Sequence, residues 1–139
     1  MGLVIDSSVL IDYERKRLDL DAKIQGREAE EFFLVVITAS ELLHGVVRAS
    51  DPQIKAKRGA FVEGILVRFP ILEIDINVAR VHAQIWADLA SKGKMIGMND
   101  SWIAATCIAH GYTLVTSNPR DFEKVPGLKC EVWLPSPQK

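Results

Sequence analysis

Acidic side chains recur in this chain at places where folding could gather them. Asp6 follows the apolar run Leu3-Val4-Ile5, and Glu41 follows Phe33-Leu34-Val35-Val36-Ile37. Asp100 opens a helical pattern behind a glycine-bearing loop, while Asn118 and Asp121 lie just past Tyr112-Thr113-Leu114-Val115. Carboxylates brought into one pocket repel each other, and a hard divalent cation neutralises them best. The chemistry this pattern suggests is a Mg²⁺ or Mn²⁺ site built by folding.

Each acid also has a structural explanation. Thr38-Ala39-Ser40-Glu41 reads as a capping box, in which Glu41 would bond back to the helix's first amide. Asp100 lies in a first helical turn, where an acid gains about 0.3–1 kcal/mol from the dipole. Asp6 could cap a strand-to-helix turn, and Asn118-Pro119-Arg120-Asp121 is rich in turn formers. Only their common placement argues for a site.

The elements that must position them alternate between strands and helices. Residues 2–5 form a continuous apolar run, as in a strand covered on both faces. Ser7 or Ser8 can cap a helix through about Arg15, and a polar helix over Asp21–Phe32 leads to a strand near 33–37. Thr38 begins the next helix; Asp51 and Pro52 supply the cap and first-turn proline of another. Ile71–Ile74 reads as a short strand, and Asp75 or Asn77 can cap a helix carrying Val78, Val81, Ile85 and Leu89 at helical spacing. Asn99 caps a helix with Ile103, Ala104, Cys107 and Ile108 on its apolar face, and Tyr112–Val115 and Lys129–Leu134 are the last strands. Such alternation predicts a mostly parallel sheet flanked by helices, with ligands beyond the carboxyl ends of the strands.

Composition fits one globular domain over residues 1–139. Hydrophobic residues make up 48% and charged residues 25% of the chain, far from the disordered class. No apolar run approaches the roughly 20 residues a membrane span needs, and no signal peptide is evident, so the cytoplasm is the expected compartment. The net charge of −1 does not announce a nucleic-acid binder. Basic residues are nonetheless grouped at Arg15-Lys16-Arg17, at Lys55, Lys57 and Arg58, and at Lys92 and Lys94; the plain reading is solvated helix faces. Cys107 and Cys130 make no CxxC pair, and His44, His82 and His110 lack zinc-ligand spacing.

Val4-Ile5-Asp6-Ser7-Ser8-Val9-Leu10-Ile11-Asp12 strongly resembles the opening motif of PIN-domain proteins. Thr38-Ala39-Ser40-Glu41-Leu42-Leu43-His44-Gly45 resembles the second, and Ile96-Gly97-Met98-Asn99-Asp100-Ser101-Trp102-Ile103-Ala104-Ala105 the third. Leu114-Val115-Thr116-Ser117-Asn118-Pro119-Arg120-Asp121-Phe122 resembles the last, and the ordered matches extend over essentially the whole chain. Length and motifs together look like VapC-type toxins, the ribonuclease half of type II toxin–antitoxin pairs.

That resemblance implies a PIN-like three-layer α/β/α sandwich with a central, mostly parallel sheet. It implies a Mg²⁺- or Mn²⁺-dependent endoribonuclease that cuts RNA with a metal-activated water, leaving 5′-phosphate and 3′-hydroxyl ends. The catalytic set carries onto Asp6, Glu41, Asp100 and Asn118 or Asp121, with Asp6, Asp100 and Glu41 as metal ligands and the Ser8 and Thr116 hydroxyls orienting the cluster. Asn118 stands where the family often has Asp, so the fourth position is open between Asn118 and Asp121. Lys92, Lys94 and Arg15 are candidates for backbone contacts to RNA. The implied partners are an RNA such as a tRNA stem-loop or rRNA loop, a small antitoxin, and a second copy of the chain in a homodimer. Trp86, Phe61 and Phe32 could line a groove or interface, though packing is the ordinary role of such aromatics.

The alternative is a non-catalytic PIN-like module that binds RNA or protein, which substituted acids would favour. A phosphatase of the haloacid-dehalogenase type needs a second Asp two residues after the first, where this chain has Ser8. A receiver-like phosphoacceptor domain would need paired acids there and an acceptor Asp after its middle strand.

Overall fold

Gly2–Ile5, the run expected to be covered on both faces, is the central strand β1 and is buried along its length. It pairs in parallel with β2 (Glu31–Val35) on one side and β4 (Thr113–Thr116) on the other. Outside these lie β3 (Ile71–Leu72) and β5 (Cys130–Val132), so the sheet runs β3-β2-β1-β4-β5 with every ladder parallel. The computed structural model describes residues 2–136; Met1 and residues 137–139, the ends of the expected domain, lie outside the described residues.

Side-chain alternation along the strands divides the interior into two cores. Leu3, Ile5, Phe32 and Leu34 point to one face, against Val9 and Leu10 of α1 (Ser7–Glu14), Leu20 of α2 (Leu20–Ile24), Leu42 of α3 (Val36–Val47), and Val62 and Ile65 of α4 (Pro52–Arg68). Val4, Val35 and Leu114 point to the other, against Val78, Ile85 and Leu89 of α5 (Ile76–Ser91) and Ile103, Ala104 and Cys107 of α6 (Met98–His110). Each fully buried Val, Leu or Ile contributes about 1.5–3 kcal/mol, enough to hold the layers without ligand. The α/β/α sandwich is therefore present, and no described helix is long and apolar enough to cross a membrane.

Several boundaries differ from the sequence reading for identifiable reasons. The expected Asp21–Phe32 helix is only Leu20–Ile24, and β2 takes Glu31–Val35 rather than 33–37. The polar segment has too few apolar residues to pack a long helix, whereas Phe32 and Leu34 fill the core beside β1. The following helix then starts at Val36, so Thr38 is inside it, fully buried, and the capping box does not form. Ser7 and Ser8 do not cap α1; Asp6 is its N-cap, without a side-chain cap bond. Nor does Asn99 cap α6, which begins at Met98 with Gly97 as its N-cap. Asp51 and Asp75 do cap α4 and α5 through their carboxylates, and Gly111 ends α6 in the left-handed conformation at φ 71°. The remaining strands are shorter or shifted by a residue at their ends.

Candidate active site

The chain leaves β1 on one side of the sheet to build β2 and β3, then returns to place β4 on β1's other side. This reversal opens a crevice beyond the carboxyl ends of β1 and β4. Asp6 follows β1 there, and its amide bonds the Val115 carbonyl at 2.8 Å. Its carboxylate is buried, and Oδ2 accepts from both Ser8 Oγ at 2.8 Å and Thr116 Oγ1 at 2.9 Å. These hydroxyls lie 3.2 Å apart; Ser8 Oγ also accepts from the Ser117 amide and Thr116 Oγ1 from that of Asn118. Ser8 and Thr116, the hydroxyls that the family resemblance implied would orient the cluster, both donate to Asp6 Oδ2. They turn loop amides toward Asp6 through hydroxyl relays and fix one carboxylate oxygen.

Glu41 extends from α3, one turn after β2, and is half-buried beside α1. Ser7 Oγ donates to its Oε1 at 3.3 Å. Burial and the Asp6 charge push the Glu41 carboxyl above the ordinary range, opposed by hydrogen bonds from Ser7 and Asn99. Asp100, in the first turn of α6, is raised more strongly, to about 6. Burial is the largest cause, followed by the charges of Asp6, Glu41 and Asp121. Every charge perturbing Asp100 is thus another carboxylate, so four distant segments converge on one electronegative crevice.

The two candidates for the fourth position have different settings. Asn118 is exposed, and its recorded bond is from its backbone amide. Asp121 acts on Asp100 electrostatically while pairing with Lys124 Nζ at 3.2 Å. No three His, Cys, Asp or Glu side chains among the described residues stand close enough to enclose an ion. The cluster is open rather than a closed cage. All-oxygen donors with unbalanced charge suit a hard cation that keeps part of its water shell. Asp6, Glu41 and Asp100 are the donors nearest to such a site, and as arranged here they do not close around an ion.

Beside Glu41 lies a cavity of about 190 Å³, lined by Glu14, Arg15, Arg48, Arg58, Phe61 and Val62 among others. Arg58 donates to the Gly45 carbonyl and faces Glu14 at 3.6 Å. A neighbouring hollow of about 500 Å³ shares Arg15, Arg58 and Phe61 and adds Lys16 and Lys57. Two basic groups read from sequence as solvated faces are therefore brought together next to the acids. Their convergence depends on α1 packing against α4, which no local pattern announces. Lys92 instead pairs with Asp88 at 3.1 Å and lines a separate cavity along α5. Phe32 is core and tilts against Trp133, while Trp86 is about half exposed. Burial pushes the Cys107 and Cys130 thiols up, which makes both poor nucleophiles.

Comparison with known proteins gives a consistent result. The PIN domain family matches residues 3–128. Ribonuclease VapC1 of Rickettsia felis is 36% identical over 129 residues, covering 93% of this chain and 94% of that protein. The tRNA(fMet)-specific endonuclease VapC of Salmonella typhimurium is 37% identical over 97 residues, 70% of this chain and 71% of its own length. The crystal structure of DNA-bound VapBC from the same organism superposes with a TM-score of 0.86 at 28% identity, covering 96% of this chain and 98% of that one.

Proposed function

This chain belongs to the PIN-domain family, among its VapC-type ribonucleases, and we propose that it is the toxin of a type II toxin–antitoxin pair, a metal-dependent endoribonuclease working through Asp6, Glu41, Asp100 and Asp121. The observation that carries this reading is the convergence of those acids from four segments, each of the other three raising Asp100. A module that had lost catalysis would have no reason to keep such mutual repulsion, so the non-catalytic alternative is disfavoured.

Asp6, Glu41 and Asp100 would hold Mg²⁺ or Mn²⁺; the bound ion supplies charge neutralisation and Lewis acidity toward water and phosphate. Ser8 and Thr116 fix Asp6 in one rotamer, so its other oxygen faces the crevice already oriented. Glu41, whose proton affinity burial has raised, accepts the proton of the attacking water. Asp121 completes the acidic rim, and Asn118 shapes the loop through its backbone amide. Arg15 and Arg48 hold the flanking RNA phosphates on the Glu41 side, with Phe61 as the apolar wall. Water attack leaves 5′-phosphate and 3′-hydroxyl ends.

Relatives support the substrate and partner assignments. One is named a tRNA(fMet)-specific endonuclease, and a structural neighbour is a VapBC complex. The RNA is accordingly a structured one such as a tRNA, and the partner a small antitoxin; the resemblance to VapC-type toxins further implies a homodimer that works in the cytoplasm with the antitoxin seated over the crevice. The test is cleavage of labelled tRNA by antitoxin-free protein in Mg²⁺, Mn²⁺ or EDTA. Discrete cuts that need an ion and vanish in folded Asp6→Ala support the reading; no cutting of any structured RNA together with no ion binding by calorimetry overturns it.

A further inference from the structure

We infer that His82 is a positioning residue for Asp100: from α5 it pins the first turn of α6, through Ser101, in the orientation that keeps the carboxylate in the acidic crevice. The inference rests on the nuclease reading above. Asp100 is repelled by its acidic neighbours, and the turn that carries it has no side-chain cap. Its N-cap is Gly97, with no side-chain cap bond, and the preceding loop bends at Gly93, φ 66°. Asn99 ties this turn to Glu41 across the crevice, and a second restraint acts from behind.

That restraint comes from the neighbouring helix. His82 is buried on the face of α5 that packs on α6, and its Nε2 lies 2.9 Å from Ser101 Oγ. Ser101 Oγ donates its single proton to the Met98 carbonyl at 2.6 Å. The His82–Ser101 bond must therefore be donated by Nε2–H, and the chain His82→Ser101→Met98 brackets Asp100 in sequence. The imidazole also stacks on Trp102, with centroids 3.6 Å apart and planes 5° from parallel, while Trp86 meets it edge-on at 5.9 Å. His82 thus holds Ser101 and Trp102, the two residues after Asp100, and Ser101 carries the hold back to Met98. An apolar side chain could fill the same space but would leave Ser101 without its donor.

The discriminating variants are His82→Phe, which keeps the ring stack and removes the donor, and His82→Gln, which returns an N–H near Nε2. The readouts are amide hydrogen exchange in metal-free protein and cleavage of tRNA in Mn²⁺. In His82→Phe the Ser101 and Trp102 amides should exchange about tenfold faster, as when one buried hydrogen bond is lost. The rest of α6 and β4 should be unchanged. Its kcat should fall about 10–100-fold with KM within about twofold, the signature of a displaced catalytic group rather than lost RNA contacts. His82→Gln should recover most of both losses. Wild-type exchange and kcat in His82→Phe, or acceleration spread uniformly over α6 and the sheet, would overturn the inference. If the wild type itself does not cut RNA, the nuclease reading fails, and with it the catalytic part of this assignment; the exchange data still decide the pinning.

Discussion

Removing the Asp100 charge should stabilise the metal-free protein while destroying its activity. The carboxyl is raised from an ordinary 3.8 to about 6, so the folded protein binds this proton more tightly than the unfolded chain does. The sign follows from linkage. Below 3.8 both states are protonated and the group costs nothing; between 3.8 and about 6 the penalty grows; above about 6 it is complete. At about 1.4 kcal/mol per tenfold change in proton affinity, the displacement corresponds to at most about 3 kcal/mol. Partial solvent exposure of Asp100 reduces this to about 1–2 kcal/mol. Asp100→Asn abolishes the penalty, and in a chain of this size the gain amounts to about 3–8 °C in Tm. Differential scanning calorimetry in EDTA at pH 7.5 should show the variant melting higher than wild type. The two should converge as the pH falls toward 4, and Mn²⁺ should raise the Tm of wild type alone. A variant melting at or below wild type at pH 7.5, or a gap that does not close on acidification, would show that the Asp100 charge does not destabilise the fold.

Other consequences are equally concrete. Mn²⁺ affinity of the wild type should rise with pH through about 6 and level off above it, because Asp100 must lose its proton to meet the ion; calorimetric titrations with Mn²⁺ at a series of pH values check this. Arg15→Ala and Arg48→Ala should raise KM, leave kcat near wild type and each lower the salt slope by about 1, whereas Lys92→Ala should change neither in a salt-dependence series. Gly2→Ala would place a Cβ 2.5 Å from the Tyr112 ring, which stacks on Phe33 at 5.0 Å and on His110 at 5.3 Å. That overpacking should cost about 1–3 kcal/mol in urea unfolding without changing the activity of folded molecules.

The sheet was legible because β1 and β4 are apolar on both faces, and the motif-bearing acids were legible because they follow strands or open helices. Helix starts were less so. Thr38 and Asn99 carry good capping side chains, but the start of each helix is set by where the preceding strand or loop delivers the chain, at Val36 and Met98. Local capping energies of about 1 kcal/mol do not override core packing. The contacts that finish the site join residues far apart in sequence. Ser7 reaches Glu41 across 34 positions and His82 reaches Ser101 across 19. Arg15 and Arg48 are the residues just past α1 and α3, and no periodicity within either segment could pair them.

The central claim is that water, activated at the Asp6–Glu41–Asp100 crevice, cuts the RNA without help from its own 2′-hydroxyl. It is tested most directly on a tRNA carrying a single 2′-deoxy nucleotide at the cleaved linkage, incubated with Mn²⁺ and wild-type or Asp100→Asn protein. The account predicts that wild type still cuts there, leaving 5′-phosphate and 3′-hydroxyl ends, and that the variant does not. Blocked cleavage at the deoxy linkage, with a 2′,3′-cyclic phosphate on the unmodified RNA, would contradict it.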